Sequence, residues 1–258
     1  MADIPEDRIE SPSEVALLYS GGVDSTLAAC VLARSFGKIH LNTFERPGFM
    51  AMDNPAEHAA RLKARFPDRE FIHRRIDAGR FYEAVDSPDP GLGRLGTGLM
   101  ALNTCGHCKA ALHWRNLIFC LQNGVKYAAD GAVVGAEEFA EQNPRILMPA
   151  LLELYASFGV TLLHPVYREG LNTEEALHEF GIIEDPRVKM TAKDKQVVCS
   201  QQVLFAMMMR VILSRKTFAE YEVQARDYLA AKLARASALT REYVEHPGER
   251  TRLSELLD

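Results

Sequence analysis

Two stretches of this chain carry residue types whose order could do chemistry. The first is Ser20-Gly21-Gly22-Val23-Asp24-Ser25-Thr26, behind the apolar run Val15–Tyr19 and ahead of a helical pattern. A strand, a glycine turn and a helix N-terminus together make an anion site. The free N–H groups of the first turn and the positive end of the helix dipole face the same point. Gly21 and Gly22 let the backbone come close to a ligand, and Ser20, Ser25 and Thr26 supply hydroxyl donors. Asp24 sets a carboxylate beside that anion, which calls for a cation, most simply Mg²⁺. The loop is not a Walker A motif, because no Gly-Lys-Ser/Thr follows it.

The second stretch is Asn103-Thr104-Cys105-Gly106-His107-Cys108-Lys109. A Cys-x-x-Cys turn at a helix start gathers two thiols about one centre, where the helix N-terminus favours the thiolate. Dithiol redox chemistry, zinc binding and iron–sulfur ligation all use such a pair. Cys30 and Cys120 sit inside apolar helical runs and read as core cysteines. Cys199 differs, lying in the polar stretch Lys193–Gln202 at the expected start of a helix, 91 positions beyond Cys108 (199 − 108). Gly91-Leu92-Gly93-Arg94-Leu95-Gly96 has the spacing of a dinucleotide loop, but it follows the turn Ser87–Pro90 and no strand. The segment 87–98 is read instead as a loop over the crevice, placed to act as a lid.

These residues need a frame. Strand patterns fall at Val15–Tyr19, Ile39–Phe44, Glu70–Ile76, Lys126–Ala129 and Thr161–Leu163. Helical patterns fall at Thr26–Phe36, Ala56–Phe66, Arg80–Val85, Cys108–Gln122 and Ile146–Phe158, with Gly37 and Asn123-Gly124 as expected closing signals. The alternation implies an α/β fold, a parallel sheet with helices on both faces. Ligands in such sheets bind at the carboxyl ends of the strands. Ser20, the segment after Phe44 and the turn at Gly131 would then face one crevice. Beyond it the chain reads as helical, with capping-box spacing at Asn172–Glu175 and Thr217–Glu220. A helix is expected near Lys195–Leu213. Another runs from Phe218 to about Ala236, with Phe218, Tyr221, Ala225, Tyr228, Leu229 and Lys232 forming a packing stripe. The expected division is an ATP-binding α/β domain over 1–165 and a helical region over 166–258 that carries Cys199.

Composition narrows the class. The hydrophobic fraction of 47% can fill a core, and the formal charge of −5 gives no global basic field for nucleic acid. No apolar run reaches the roughly 20 residues of a membrane span, so no membrane partner is expected. The acidic start Met-Ala-Asp-Ile-Pro-Glu-Asp is unlike a signal peptide. Five cysteines without such a signal fit a reducing, cytoplasmic setting.

The hexapeptide Ser20–Ser25 resembles the signature of the PP-loop ATP pyrophosphatases, which cleave ATP between the α and β phosphates and adenylate a substrate. Cys105-Gly-His-Cys108-Lys109, then Leu112, Gly124 and Asp130-Gly131, resembles the middle of that superfamily's sulfur-inserting members. These are the three-cysteine tRNA thiolation enzymes and the pyridinium-dicarboxylate mononucleotide sulfurtransferases. The resemblance spans roughly residues 14–200 and implies a Rossmann-like fold. It implies ATP and Mg²⁺ on Ser20, Gly21, Gly22, Asp24, Ser25 and Thr26, with the adenosine near Thr43, Phe44 and Gly131. It also implies Cys105, Cys108 and Cys199 as catalytic cysteines that ligate a [4Fe-4S] cluster, zinc being the alternative. Lys109 and Arg145 are candidates for anionic groups.

The chain departs from these relatives in two ways. An Asn often follows the Asp-Gly turn in them, and here the run is Asp130-Gly131-Ala132, with Glu137 and Glu138 further on. Zinc-ribbon cysteines are missing too. With the acidic balance, this favours a small-molecule or nucleotide-like acceptor over tRNA. A sulfur donor is required, and a homo-oligomer fits the stripe from Phe218. The rival readings are a PP-loop amide or amine ligase with structural zinc, and a non-catalytic ATP-binding protein.

Overall fold

The computed structural model describes residues 13–86, 104–135, 143–185, 197–200 and 218–258. Five strands form one parallel sheet: β1 (Glu14–Leu18), β2 (Lys38–Glu45), β4 (Glu70–Asp77), β5 (Tyr127–Ala129) and β6 (Thr161–Leu163). Their order is β4-β2-β1-β5-β6. β1 is central, with Val15 opposite Ile39 on one side and Tyr127 on the other. Both its faces are covered, so beyond Glu14 it reads as the apolar run Val15–Leu18, whereas edge strand β4 carries His73, Arg74 and Arg75. A two-residue ribbon pairs β3 (Phe49–Met50) antiparallel with β7 (Val198–Cys199).

Helices cover both faces of the sheet. One core joins Val15, Leu17, Ile39 and Leu41 to α1 (Val23–Leu32), α2 (Asn54–Arg65) and α6 (Thr173–Glu179). The other joins Ala16, Leu18, Phe44 and Ile76 to α3 (Gly79–Asp86), α4 (Thr104–Asn123), α5 (Met148–Ala156) and α7 (Phe218–Glu245). The α/β architecture expected above is therefore the one observed. In α2 the buried residues Pro55, His58, Ala59 and Leu62 recur at helical spacing. Ala225, Leu229, Leu233 and Ala236 of α7 enter the same core as α4 and α5, joined by Leu253 of the short α8 (Arg252–Leu257). No helix among the described residues is long and apolar enough to cross a membrane.

Local differences from the sequence reading have physical causes. α1 ends at Leu32, capped at Ala33, so Gly37 is not its closing residue. Gly124, at φ +69°, does close α4. Within the helix expected near Lys195–Leu213, Val198 and Cys199 are extended and pair with Met50 and Phe49, and residues 195–196 and 201–213 lie outside the described residues. Pairing across the ribbon overrides local helical pattern there. Asn172 caps α6 as expected, its side chain accepting from the Glu175 N–H. Residues 87–98, Asn103, Glu137, Glu138, the run Met207–Met209 and Thr217 lie outside the described residues, as do the side chains of Phe218, Glu220 and Tyr221.

Candidate functional site

β1 delivers the chain into the glycine turn, and α1 leaves it. Gly21 adopts φ +75°, a left-handed conformation that side chains disfavour, and a Cβ there would meet Pro55 Cα at 2.8 Å. Its carbonyl accepts a hydrogen bond from His58 Nδ1 at 2.5 Å. Gly22 is the N-cap of α1, and its N–H donates to Ser20 Oγ at 3.2 Å. The Ser25 hydroxyl donates to the Gly22 carbonyl at 3.1 Å. The helix ladder starts at Thr26, whose N–H reaches the Gly22 carbonyl at 2.9 Å. The N–H groups ahead of it have no partner within the helix and are those an anion would meet. On the other flank Gly131 packs against Ser25, leaving no room for a Cβ. The loop is thus clamped between α2 and the Asp130-Gly131 turn.

A cavity of about 340 Å³ opens above this loop at the carboxyl ends of β1, β2 and β5. Ser20, Gly22, Asp24 and Ser25 form its floor, Thr43 and Phe44 one wall, and Lys109 and Gly131 the other. Phe49 and Cys199, from the ribbon, complete it. It lies where the sheet order reverses, β2 to one side of β1 and β5 to the other, which is where ligands bind in open parallel sheets. Of the loop residues expected at the site, Gly21 and Thr26 face inward. The Thr26 hydroxyl lies 3.5 Å from the Gly21 carbonyl. Thr43 is committed as well, its hydroxyl donating to the Tyr19 carbonyl at 2.8 Å with His73 Nε2 at 2.9 Å.

Asp24 points one carboxylate oxygen at the Thr173 hydroxyl, 3.1 Å away, and burial raises its pKa. A carboxylate short of positive charge beside an anion-binding helix end is a fitting place for a divalent cation.

Lys109 is held from below. Its Nζ lies 3.9 Å from Asp130 Oδ2, and Asp130 is fully buried. His164 Nδ1 lies 2.8 Å from Asp130 Oδ1, and His113 Nε2 lies 3.3 Å from Oδ2. Burial alone would raise the Asp130 pKa, but the Lys109 charge and the two imidazoles hold it well below the usual carboxylate range. Burial pushes His113 down to about 4, so it is neutral at pH 7.

Cys108 and Cys199 meet at Arg46, which follows β2 directly. Arg46 is 6% exposed, and its guanidinium lies over the rings of Phe49 and Tyr82, 4.6 and 4.3 Å from their centroids. Its Nε donates to Cys108 Sγ at 3.0 Å and its Nη2 to Cys199 Sγ at 3.7 Å. Burial works against that charge, but the two sulfurs raise the Arg46 pKa overall. Cys105 packs against the core shared by α3, α4 and α7. Cys30 and Cys120 are fully buried, and burial pushes both up to about 12. None of the five cysteines is in a disulfide.

The described residues give no sign of the expected cluster or zinc. Among the described residues, no three His, Cys, Asp or Glu side chains are grouped to hold one metal ion. A guanidinium stands between two of the three expected ligands.

Sequence reading missed Arg46, His58 and the His113–Asp130–His164 group. Arg46 lies just past a strand's carboxyl end, a position that could have marked it. The two histidines beside Asp130 come together only through the fold. Arg145 does not reach the cavity; it pairs with Glu222 of α7 at 3.4 Å.

No family model matches this sequence, and no curated protein matches it. Among solved structures it is similar to a predicted subunit of tRNA methyltransferase from Methanocaldococcus jannaschii. That likeness is 19% identical, covers 66% of this chain and 75% of the other, and has a TM-score of 0.41. It is also similar to an NMN synthetase from Francisella tularensis, at 12% identity over 88% of this chain and 87% of that one, with a TM-score of 0.40. Both likenesses are remote.

Proposed function

We propose that this protein is an ATP-dependent sulfurtransferase that adenylates a substrate oxygen, releases pyrophosphate and replaces that oxygen with sulfur. One observation carries the reading: Cys199 shares a single cavity with the glycine loop at the start of α1. An activated carbon and a sulfur nucleophile need such a common space, because adenylates hydrolyse where water competes.

ATP phosphates rest on the N–H groups of the first turn of α1, with the hydroxyls of Ser20 and Ser25 beside them. The adenosine lies along Thr43 and Phe44. Asp24 would hold Mg²⁺, which when bound neutralises charge on the departing pyrophosphate. Lys109, oriented by Asp130, faces the phosphates from the opposite wall.

The acceptor oxygen attacks the α-phosphorus, and the bond to the β-phosphate oxygen breaks with its electron pair on pyrophosphate. A sulfane-sulfur donor loads Cys199 as a persulfide. The terminal sulfur attacks the adenylated carbon, the C–O bond breaks, and its electron pair leaves with AMP. The Cys108 thiolate then attacks the Cys199 sulfur. The S–S bond to the product breaks with its pair on the product sulfur, leaving a Cys108–Cys199 disulfide for a thiol reductant to reopen.

A nucleotide-like small molecule is the favoured acceptor and tRNA the second. Labelled ATP and a labelled persulfide donor test the reading with each acceptor class. Sulfur incorporation with release of AMP and pyrophosphate supports it.

A further inference from the structure

Arg46 does for Cys108 and Cys199 what a metal was expected to do. The two cysteines come from α4 and β7, 91 positions apart in sequence (199 − 108), and one guanidinium contacts both sulfurs. The group is built to stay in place. The Phe49 and Tyr82 rings hold it, and Nη1 donates to the Pro47 carbonyl at 2.9 Å. Phe49 is itself the ribbon partner of Cys199, so the residue that stacks on Arg46 also fixes the register of the second sulfur.

We infer that Arg46 is the positioning residue of a metal-free sulfur site, holding Cys108 and Cys199 together and binding the anionic terminal sulfur that Cys199 carries. This rests on the sulfurtransferase reading for its purpose. A planar fork of fixed donors suits this role. One N–H can stay on Cys108 while another, on a separate nitrogen, follows the sulfur of Cys199, whereas the three donors of an ammonium all sit on one point charge. Charge-assisted donation to an anion is also the stronger class of hydrogen bond. The loading step is balanced without ATP: the Cys199 thiolate takes one sulfur from an inorganic polysulfide, which leaves one sulfur shorter and with its charge unchanged.

The test uses the full chain, treated with inorganic polysulfide and then alkylated, with the extra sulfur on Cys199 counted by mass spectrometry. The wild type is expected to load Cys199. Arg46→Ala is expected to lower the loaded fraction about ten-fold, the scale of one lost charge-assisted hydrogen bond, and added methylguanidinium to restore it. Arg46→Lys keeps the charge but not the fork, and is expected to load less than wild type. Should Arg46→Ala fail to fold, Arg46→Lys decides the matter. Wild-type loading in the Lys variant, or stoichiometric iron or zinc bound through Cys108 and Cys199, overturns the inference. The loading assay contains no ATP or acceptor; a separate assay that supplies both, in which the wild type releases no pyrophosphate, would sink the sulfurtransferase reading and leave the loading result standing.

Discussion

Gly131 and Ser25 are in backbone contact: a Cβ on Gly131 would stand 2.8 Å from the Ser25 nitrogen. The turn after β5 therefore sets the position of the first turn of α1. Backbone cannot yield as a flexible side chain can. Gly131→Ala is expected to cost about 1–3 kcal/mol by overpacking and to weaken ATP binding. Gly37 offers a control, since nothing lies within 4 Å of its Cβ position. Gly37→Ala is expected to be neutral or to stabilise by about 0.4–1 kcal/mol. Urea unfolding and calorimetric titration of ATP check both. Unchanged stability and affinity in Gly131→Ala would contradict the clamp.

His58 fixes the other flank. Its bond to the Gly21 carbonyl holds a left-handed glycine against Pro55. His58→Ala is expected to reduce ATP affinity about ten-fold, the loss of one buried hydrogen bond, measured by titration at pH 7. An affinity equal to wild type would show that Pro55 alone suffices.

Much of this frame was legible in the sequence. The glycine hexapeptide, the βα alternation and the close of α4 at Gly124 are local signals, and local chemistry decides them. What was not legible depends on long-range contact. Cys199 forms a strand because Phe49 pairs with it. Arg46 is an ordinary charged residue until the fold sets it beside two sulfurs. Asp130 stood out as the start of a turn, but its burial against His113 and His164 joins α4 to the end of β6.

The buried group at Asp130 makes stability depend on pH in two windows. His113 is lowered from 6.5 to about 4, so the unfolded chain takes up its proton first. Stability is full above pH 6.5 and falls as pH drops towards 4, by roughly 1–3 kcal/mol. Asp130 is lowered from 3.8, so its contribution is present above that value and lost below it. Denaturant unfolding across this range checks the signs. His113→Gln should flatten the slope between pH 6.5 and 4; an unchanged slope would assign it elsewhere.

The cysteines should separate by reactivity. Cys30 and Cys120 are expected to resist iodoacetamide in the native protein, being fully buried with thiols pushed up to about 12. Cys199 is partly exposed at the cavity and should react. Because it shares that cavity with the glycine loop, Mg-ATP should protect it, as read by peptide mass mapping. Equal labelling with and without ATP would separate the two sites.

The most direct test of the account is which bond of ATP breaks when acceptor and a labelled persulfide donor are supplied. Nucleotide-like small molecules and tRNA are offered separately, and products are resolved by chromatography. AMP and pyrophosphate, with labelled sulfur in the acceptor and both lost in Asp24→Ala, is the predicted result; Cys199→Ser should lose the sulfur label. ADP and phosphate as products, or sulfur transfer that persists in Cys199→Ser, would contradict it.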